Sequence, residues 1–167
     1  MCAAPPVQDW QDASRQFQED SWDLYAVPTQ AAASWLELDS LAEVTGHAVR
    51  TRPRLPHETD ELPPASAVLV APATFNTLNQ WAAGINDTLP LGLLNELLGL
   101  EVPIVVAMYC KAALAAHPAY RPNIRRLQQA GATILEGERS ITVRDDGFCW
   151  TAVRDALAAV REHRSGP

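Results

Sequence analysis

The 167 residues are 47% hydrophobic and 20% charged, with a formal net charge of −7. That length supports one domain with a sizeable core, spanning residues 1–167 with 162–167 as a frayed tail. The acidic balance argues against a nucleic-acid surface, no apolar run approaches the ~20 residues of a membrane span, and the N-terminus lacks a secretory signal. Cys2, Cys110 and Cys149 are odd in number and far apart, which fits reduced thiols in a cytoplasm and gives no zinc-site spacing.

Met1–Pro6 is a loop, because Pro5 and Pro6 cannot continue a regular element. Residues 7–20 suit a surface helix anchored by Val7, Trp10 and Phe17. Trp22–Val27 is a strand candidate ended by Pro28, after which Thr29 caps a helix running through Ala31, Ala32, Trp35, Leu36 and Leu38. Gly46–Arg50 is a weaker strand. Arg50, Arg52 and Arg54 share one face of an extended segment, which suits solvent, with contact to a phosphate or carboxylate as the alternative. Residues 51–66 hold four prolines and His57, fifteen residues before Pro72. This is a loop from which the histidine can fold back over the sheet's carboxyl edge.

Ala67–Ala71 is a short apolar run of the kind buried on both faces of a sheet. Pro72 stops it, and Thr74, Asn76 or Thr77 can cap the helix that follows and offer hydrogen bonds outward. Phe75, Leu78, Ala82 and Ile85 lie on one face of that helix. The junction repeats the strand–Pro–Thr–helix order of Val27-Pro28-Thr29. Two such junctions in one sheet favour a ligand site at the strands' carboxyl ends. Residues 89–99 are helical, Val102–Met108 is a strand, and Tyr109–His117 is polar to small. A helix follows Pro118 with Ile124, Leu127 and Ala130 on one face, and Gly131 ends it. Ala132–Leu135 and Ile141–Val143 are further strands, and Trp150, Val153, Leu157 and Val160 mark a C-terminal helix. The alternation predicts an α/β fold with a doubly wound, mostly parallel sheet of about five strands. No dinucleotide fingerprint or P-loop is present.

Ala71-Pro72-Ala73-Thr74-Phe75-Asn76-Thr77, followed by Gly84-Ile85-Asn86-Asp87-Thr88-Leu89, resembles the homo-oligomeric flavin-containing cysteine decarboxylases. This flavoprotein family includes phosphopantothenoylcysteine decarboxylases and peptidyl-cysteine decarboxylases. Its motif reads roughly Pro-Ala-Ser-Ala-Asn-Thr, then Gly-x-x-Asp-x-Leu, and the chain departs in the first part at Thr74 and Phe75. Thr29 through Trp35, Val106-Ala107-Met108-Tyr109 (for Pro-Ala-Met-Asn), Pro118, Asn123-Ile124, Leu127 and Gly131 follow the family's order, so the resemblance covers nearly the whole chain.

The resemblance implies a Rossmann-like, flavodoxin-like three-layer sandwich that binds FMN between subunits of a homotrimer or a dodecamer of trimers. Pro72, Ala73, Thr74 and Asn76 would lie along the flavin and its ribityl-phosphate, Thr29 would meet the phosphate, and Met108 would lie near the ring. Intersubunit binding would give Trp35, Trp81 or Phe75 a reason to sit at a surface, with core burial the alternative for each. The catalytic histidine of the decarboxylases corresponds to His57, although its flank and spacing differ. There the flavin oxidises the thiol side of a cysteine-bearing substrate and carbon dioxide leaves. Tyr109 stands where the family's asparagine holds the substrate carboxylate; a phenol donates one hydrogen bond where the amide donates two. Glu136–Phe148 does not resemble the flap of the phosphopantothenoylcysteine decarboxylases, and Cys149 at a helix start suits a structural role. The chain begins where the family's first strand ends, so the expectation is a truncated first strand with an incomplete N-terminus. Three readings follow: an FMN enzyme acting on a small-molecule or peptide thiol, a phosphopantothenoylcysteine decarboxylase of coenzyme A synthesis, and a non-catalytic FMN-fold binding or regulatory subunit.

Overall fold

The computed structural model describes residues 1–55, 57, 58, 62–135 and 148–165, with only the backbone of 162–165. Its centre is a parallel sheet of three strands in the order β1 (Val68–Ala73), β2 (Ile104–Met108), β3 (Thr133–Leu135). Alternate residues of a strand face opposite sides, and here both sides are covered. Val70, Ile104 and Val106 pack under α4 (Phe75–Ala82), α5 (Leu89–Gly99) and α7 (Tyr120–Gln129), through Leu78, Trp81, Leu91, Leu94, Ile124 and Leu127. Ala71, Val105 and Ala107 pack against α1 (Trp10–Glu19) and α8 (Trp150–Ser165), through Ala13, Phe17, Val153 and Leu157. That is the expected three-layer α/β arrangement. β2 is buried at every position, as a middle strand must be, whereas Val68 and Leu69 of the edge strand β1 are only partly covered.

Helix α8 is locked to the end of α1. Arg154 Nε and Nη2 donate to the two carboxylate oxygens of Asp20 at 2.9 and 2.7 Å, which holds that carboxyl below its ordinary range. Arg161 stacks its guanidinium 4.0 Å over the Trp22 ring. A third cluster joins the 3-10 helix Pro5–Asp9 to α3 (Leu38–Thr45) through Val7, Trp10, Leu36 and Leu41. No helix among the described residues is long and apolar enough to cross a membrane.

Several elements differ from expectation. Trp22–Val27 and Gly46–Arg50 are not strands. A strand exists only through its ladder, and the first segment is paired only at its end. Met1 N donates to the Val27 carbonyl (3.1 Å) and Thr29 N–H to the Met1 carbonyl (2.9 Å), a single parallel bridge. The helix expected from Thr29 to Leu38 is broken into α2 (Gln30–Ala33) and α3, leaving Trp35 exposed. The helix after Thr74 stops before Ile85, because Gly84 takes φ +73°. A short α6 (Ala112–Ala115) interrupts the polar segment. The strand expected at 141–143 and the segment 136–147 lie outside the described residues.

Candidate functional site

The strands run parallel, so their carboxyl ends and the helix starts that follow share one edge. At β1, Thr74 leaves the strand in extended conformation, and its hydroxyl accepts the Thr77 N–H at 3.4 Å, capping α4. The cap leaves the N–H groups of Phe75 and Asn76 without intrahelical acceptors. Thr29 does the same for α2, accepting from Ala32 N–H at 3.2 Å. The two junctions are tied together by the N-terminal residues. Met1 bridges to Val27 and Thr29, and the next residue, Cys2, donates its N–H to the Pro72 carbonyl at 3.1 Å. The Cys2 thiol also donates to Thr77 Oγ1 (3.2 Å), whose oxygen lies 3.2 Å from Thr74 Oγ1. β2 joins from the other side: Ala73 is in register with Met108, and Tyr109 N–H donates to the Ala73 carbonyl at 2.8 Å.

The structure therefore brings Thr29, Pro72, Ala73, Thr74, Asn76, Met108 and Tyr109 to one edge, in two groups. Pro72, Ala73 and Met108 are buried and set the height at which the edge stands. Thr29, Thr74 and Tyr109 are partly exposed and Asn76 is exposed, with its amide donating to Gln80 Oε1 at 3.3 Å. Thr77, which the sequence offers as an outward donor, is buried and turned toward Cys2. Tyr109 packs on the α8 side near Phe148, ring centroids 6.3 Å apart. Trp81 is core and Phe75 is half-buried. Cys149 is exposed, against the structural role expected of it.

His57 sits apart. It is exposed in a turn held by Arg52, whose Nη1 and Nη2 donate to the Glu58 carboxylate at 3.0 and 2.6 Å. The Arg52 hydrogen bonds, reinforced by the Leu55 N–H, lower the Glu58 carboxyl to about 2. Arg52 and Arg54 are thus bound into the loop rather than simply solvated. Among the described residues no hydrogen bond joins His57 to the carboxyl edge, and no cluster of acidic, histidine and cysteine side chains could hold a metal ion.

Sequence reasoning did not find Cys2, whose role depends on a contact 75 positions away. It also missed His117, whose ring meets Phe75 edge-on with centroids 5.5 Å apart. No periodicity marks either residue.

Comparison with known proteins gives a consistent picture. A sequence model described as Flavoprotein matches residues 14–162. The coenzyme A biosynthesis bifunctional protein CoaBC of Mycobacterium tuberculosis (strain H37Rv) is 32% identical over 127 residues, covering 73% of this chain and 29% of that protein. The chain spans less than a third of the length of the curated relatives it matches. The crystal structure of the FMN-dependent cysteine decarboxylase SpaF superposes with a TM-score of 0.74 at 21% identity, covering 96% of this chain and 93% of that one. The FMN-binding protein AtHal3 superposes with a TM-score of 0.71 at 17% identity, covering 95% and 94%.

Proposed function

Because this chain belongs to the flavoprotein family, we propose that it binds FMN at the carboxyl edge of its sheet and catalyses flavin-dependent oxidation and decarboxylation of a cysteine- or thiol-bearing substrate. The observation that carries this reading is the tied pair of junctions: Val27-Pro28-Thr29 and Ala71-Pro72-Ala73-Thr74 are held side by side by Met1 and Cys2. The donor set suits a ribityl-phosphate. Thr74, Asn76 and the first amides of α4 offer neutral donors at the positive end of a helix, and the Thr29 hydroxyl adds an oxygen from the neighbouring junction. Pro72, Ala73 and Met108 shape the floor beneath.

When bound, FMN supplies the two-electron oxidation of the thiol-bearing carbon. This chain's residues position the substrate and move protons. Tyr109 donates its phenolic hydrogen to the substrate carboxylate. His57 takes the substrate's thiol proton from its loop. The reading extends to a homotrimer or a dodecamer of trimers in the cytoplasm, acting as one domain. Support comes from Trp35, 51% exposed, and Leu100, 66% exposed, which are apolar surfaces suited to a partner copy. The unpaired Cys2, Cys110 and Cys149 fit a reducing compartment.

The test is uptake of FMN by the purified protein, followed by carbon dioxide release from a peptide ending in cysteine, with loss of release in His57→Ala. A colourless protein that takes up no added FMN overturns the reading. The identity with CoaBC favours a second substrate, phosphopantothenoylcysteine, and carbon dioxide release from that compound in preference to the peptide would select it.

A further inference from the structure

The α6–α7 turn brings a histidine to the helix start that the FMN reading uses. His117 meets the Phe75 ring edge-on, at 5.5 Å and 76°, and Phe75 lies nearly parallel to the buried Tyr120 ring at 6.3 Å and 15°. Tyr120 is itself hydrogen-bonded to Cys110, whose thiol burial pushes upward. Phe75 is the first residue of α4, directly after Thr74, so His117 stands one ring away from the capped turn. Edge-to-face geometry fixes a ring's plane as well as its distance, and a second contact fixes its rotation. The Ala119 N–H donates to His117 Nδ1 at 3.1 Å.

That bond decides what the ring can do. A nitrogen that accepts a hydrogen bond carries no proton, so neutral His117 holds its proton on Nε2. Nε2 has no hydrogen-bond partner among the described residues, and the residue is exposed. The ring is therefore a fixed Nε2–H donor. A single donor beside an apolar ring suits a carboxylate oxygen, whereas a phosphate dianion calls for several donors.

We propose that His117, held by Phe75 and Ala119, is a substrate-positioning residue that donates Nε2–H to the carboxylate of a thiol-bearing acid bound at the carboxyl edge. The proposal rests on the FMN reading and adds a second donor to Tyr109.

The experiment records long-range proton–nitrogen correlation spectra of the histidine rings in the FMN-loaded protein, titrated with N-acetyl-L-cysteine in one arm and inorganic phosphate in the other. The proposal predicts an Nε2–H ring for His117 and a saturable shift of that nitrogen with N-acetyl-L-cysteine. It also predicts binding within about threefold of wild type for His117→Gln, which puts an amide N–H near the Nε2 position. Binding weakens by about tenfold or more in His117→Asn and His117→Ala. These are surface changes, so far-UV circular dichroism and FMN uptake stay as in wild type. A silent His117, or equal binding by all three variants, overturns the proposal. An equal response to phosphate overturns the carboxylate assignment. A wild type that takes up no FMN while His117 still responds overturns the cofactor reading and upholds the contact.

Discussion

The carboxyl edge and the loop that carries His57 are held by different physics. The edge rests on β2, every residue of which is buried, and its junctions are joined by backbone hydrogen bonds through Met1, Cys2 and Tyr109. Around His57, Glu58 gathers Arg52, Arg54 and the Leu55 N–H at its own surface. A site on the edge inherits the rigidity of the core. A site on the loop depends on solvent-screened contacts. The proposed cofactor residues lie on the first, and the proposed proton carrier lies on the second.

The contrast is broken most strongly from below. Met108 is fully buried under the edge, so Met108→Ala should cost about 2–5 kcal/mol in urea unfolding and lower FMN affinity in step. Unchanged affinity in a destabilised protein would mean that the edge does not depend on the core. Thr74→Ala comes next. Removing the cap should cost about 1 kcal/mol and, by removing a donor as well, weaken FMN binding by about tenfold. Glu58→Gln is the mildest. It should lower the denaturation midpoint only slightly, since these contacts are solvent-screened, while slowing carbon dioxide release because the placement of His57 is loosened.

Acidification probes the same difference. The Glu58 carboxyl is lowered from 4.5 to about 2 in the folded chain. A depressed carboxyl stabilises the fold above its unfolded value and loses that contribution as pH falls through the folded one. The loop contacts should therefore be complete above about 4.5 and fade toward about 2. The amide signals of Leu55 and Glu58 should follow that titration, and a midpoint near 4.5 would mean that Arg52 does not hold the carboxylate in solution.

The strands β1 and β2 were legible because the apolar runs Ala67–Ala71 and Ile104–Met108 have few alternatives, and β3 because Gly131 sets off the short Ala132–Leu135 segment. The helices α4, α5, α7 and α8 showed their apolar faces plainly. Trp22–Val27 has the same local character as β1 but lacks a ladder, and pairing is not a local property. Thr29 and Thr74 were found as caps because capping acts over three residues. Cys2 and His117 were not found, since one works through Thr77 and the other through Phe75, contacts that exist only once the sheet edge is assembled. The resemblance to the cysteine decarboxylases named the family correctly. It left His57 and Tyr109 as positions whose surroundings differ from one another, one on the loop and one at the strand end.

The central claim is that the two capped junctions hold FMN together. Its most direct measurement is a flavin fluorescence titration of the wild type against the Thr29→Ala/Thr74→Ala double variant, with circular dichroism to confirm that both are folded. The account predicts saturable binding of FMN by the wild type and a loss of more than about tenfold in the variant. Equal affinity in the two proteins, or no binding by the wild type, would contradict it.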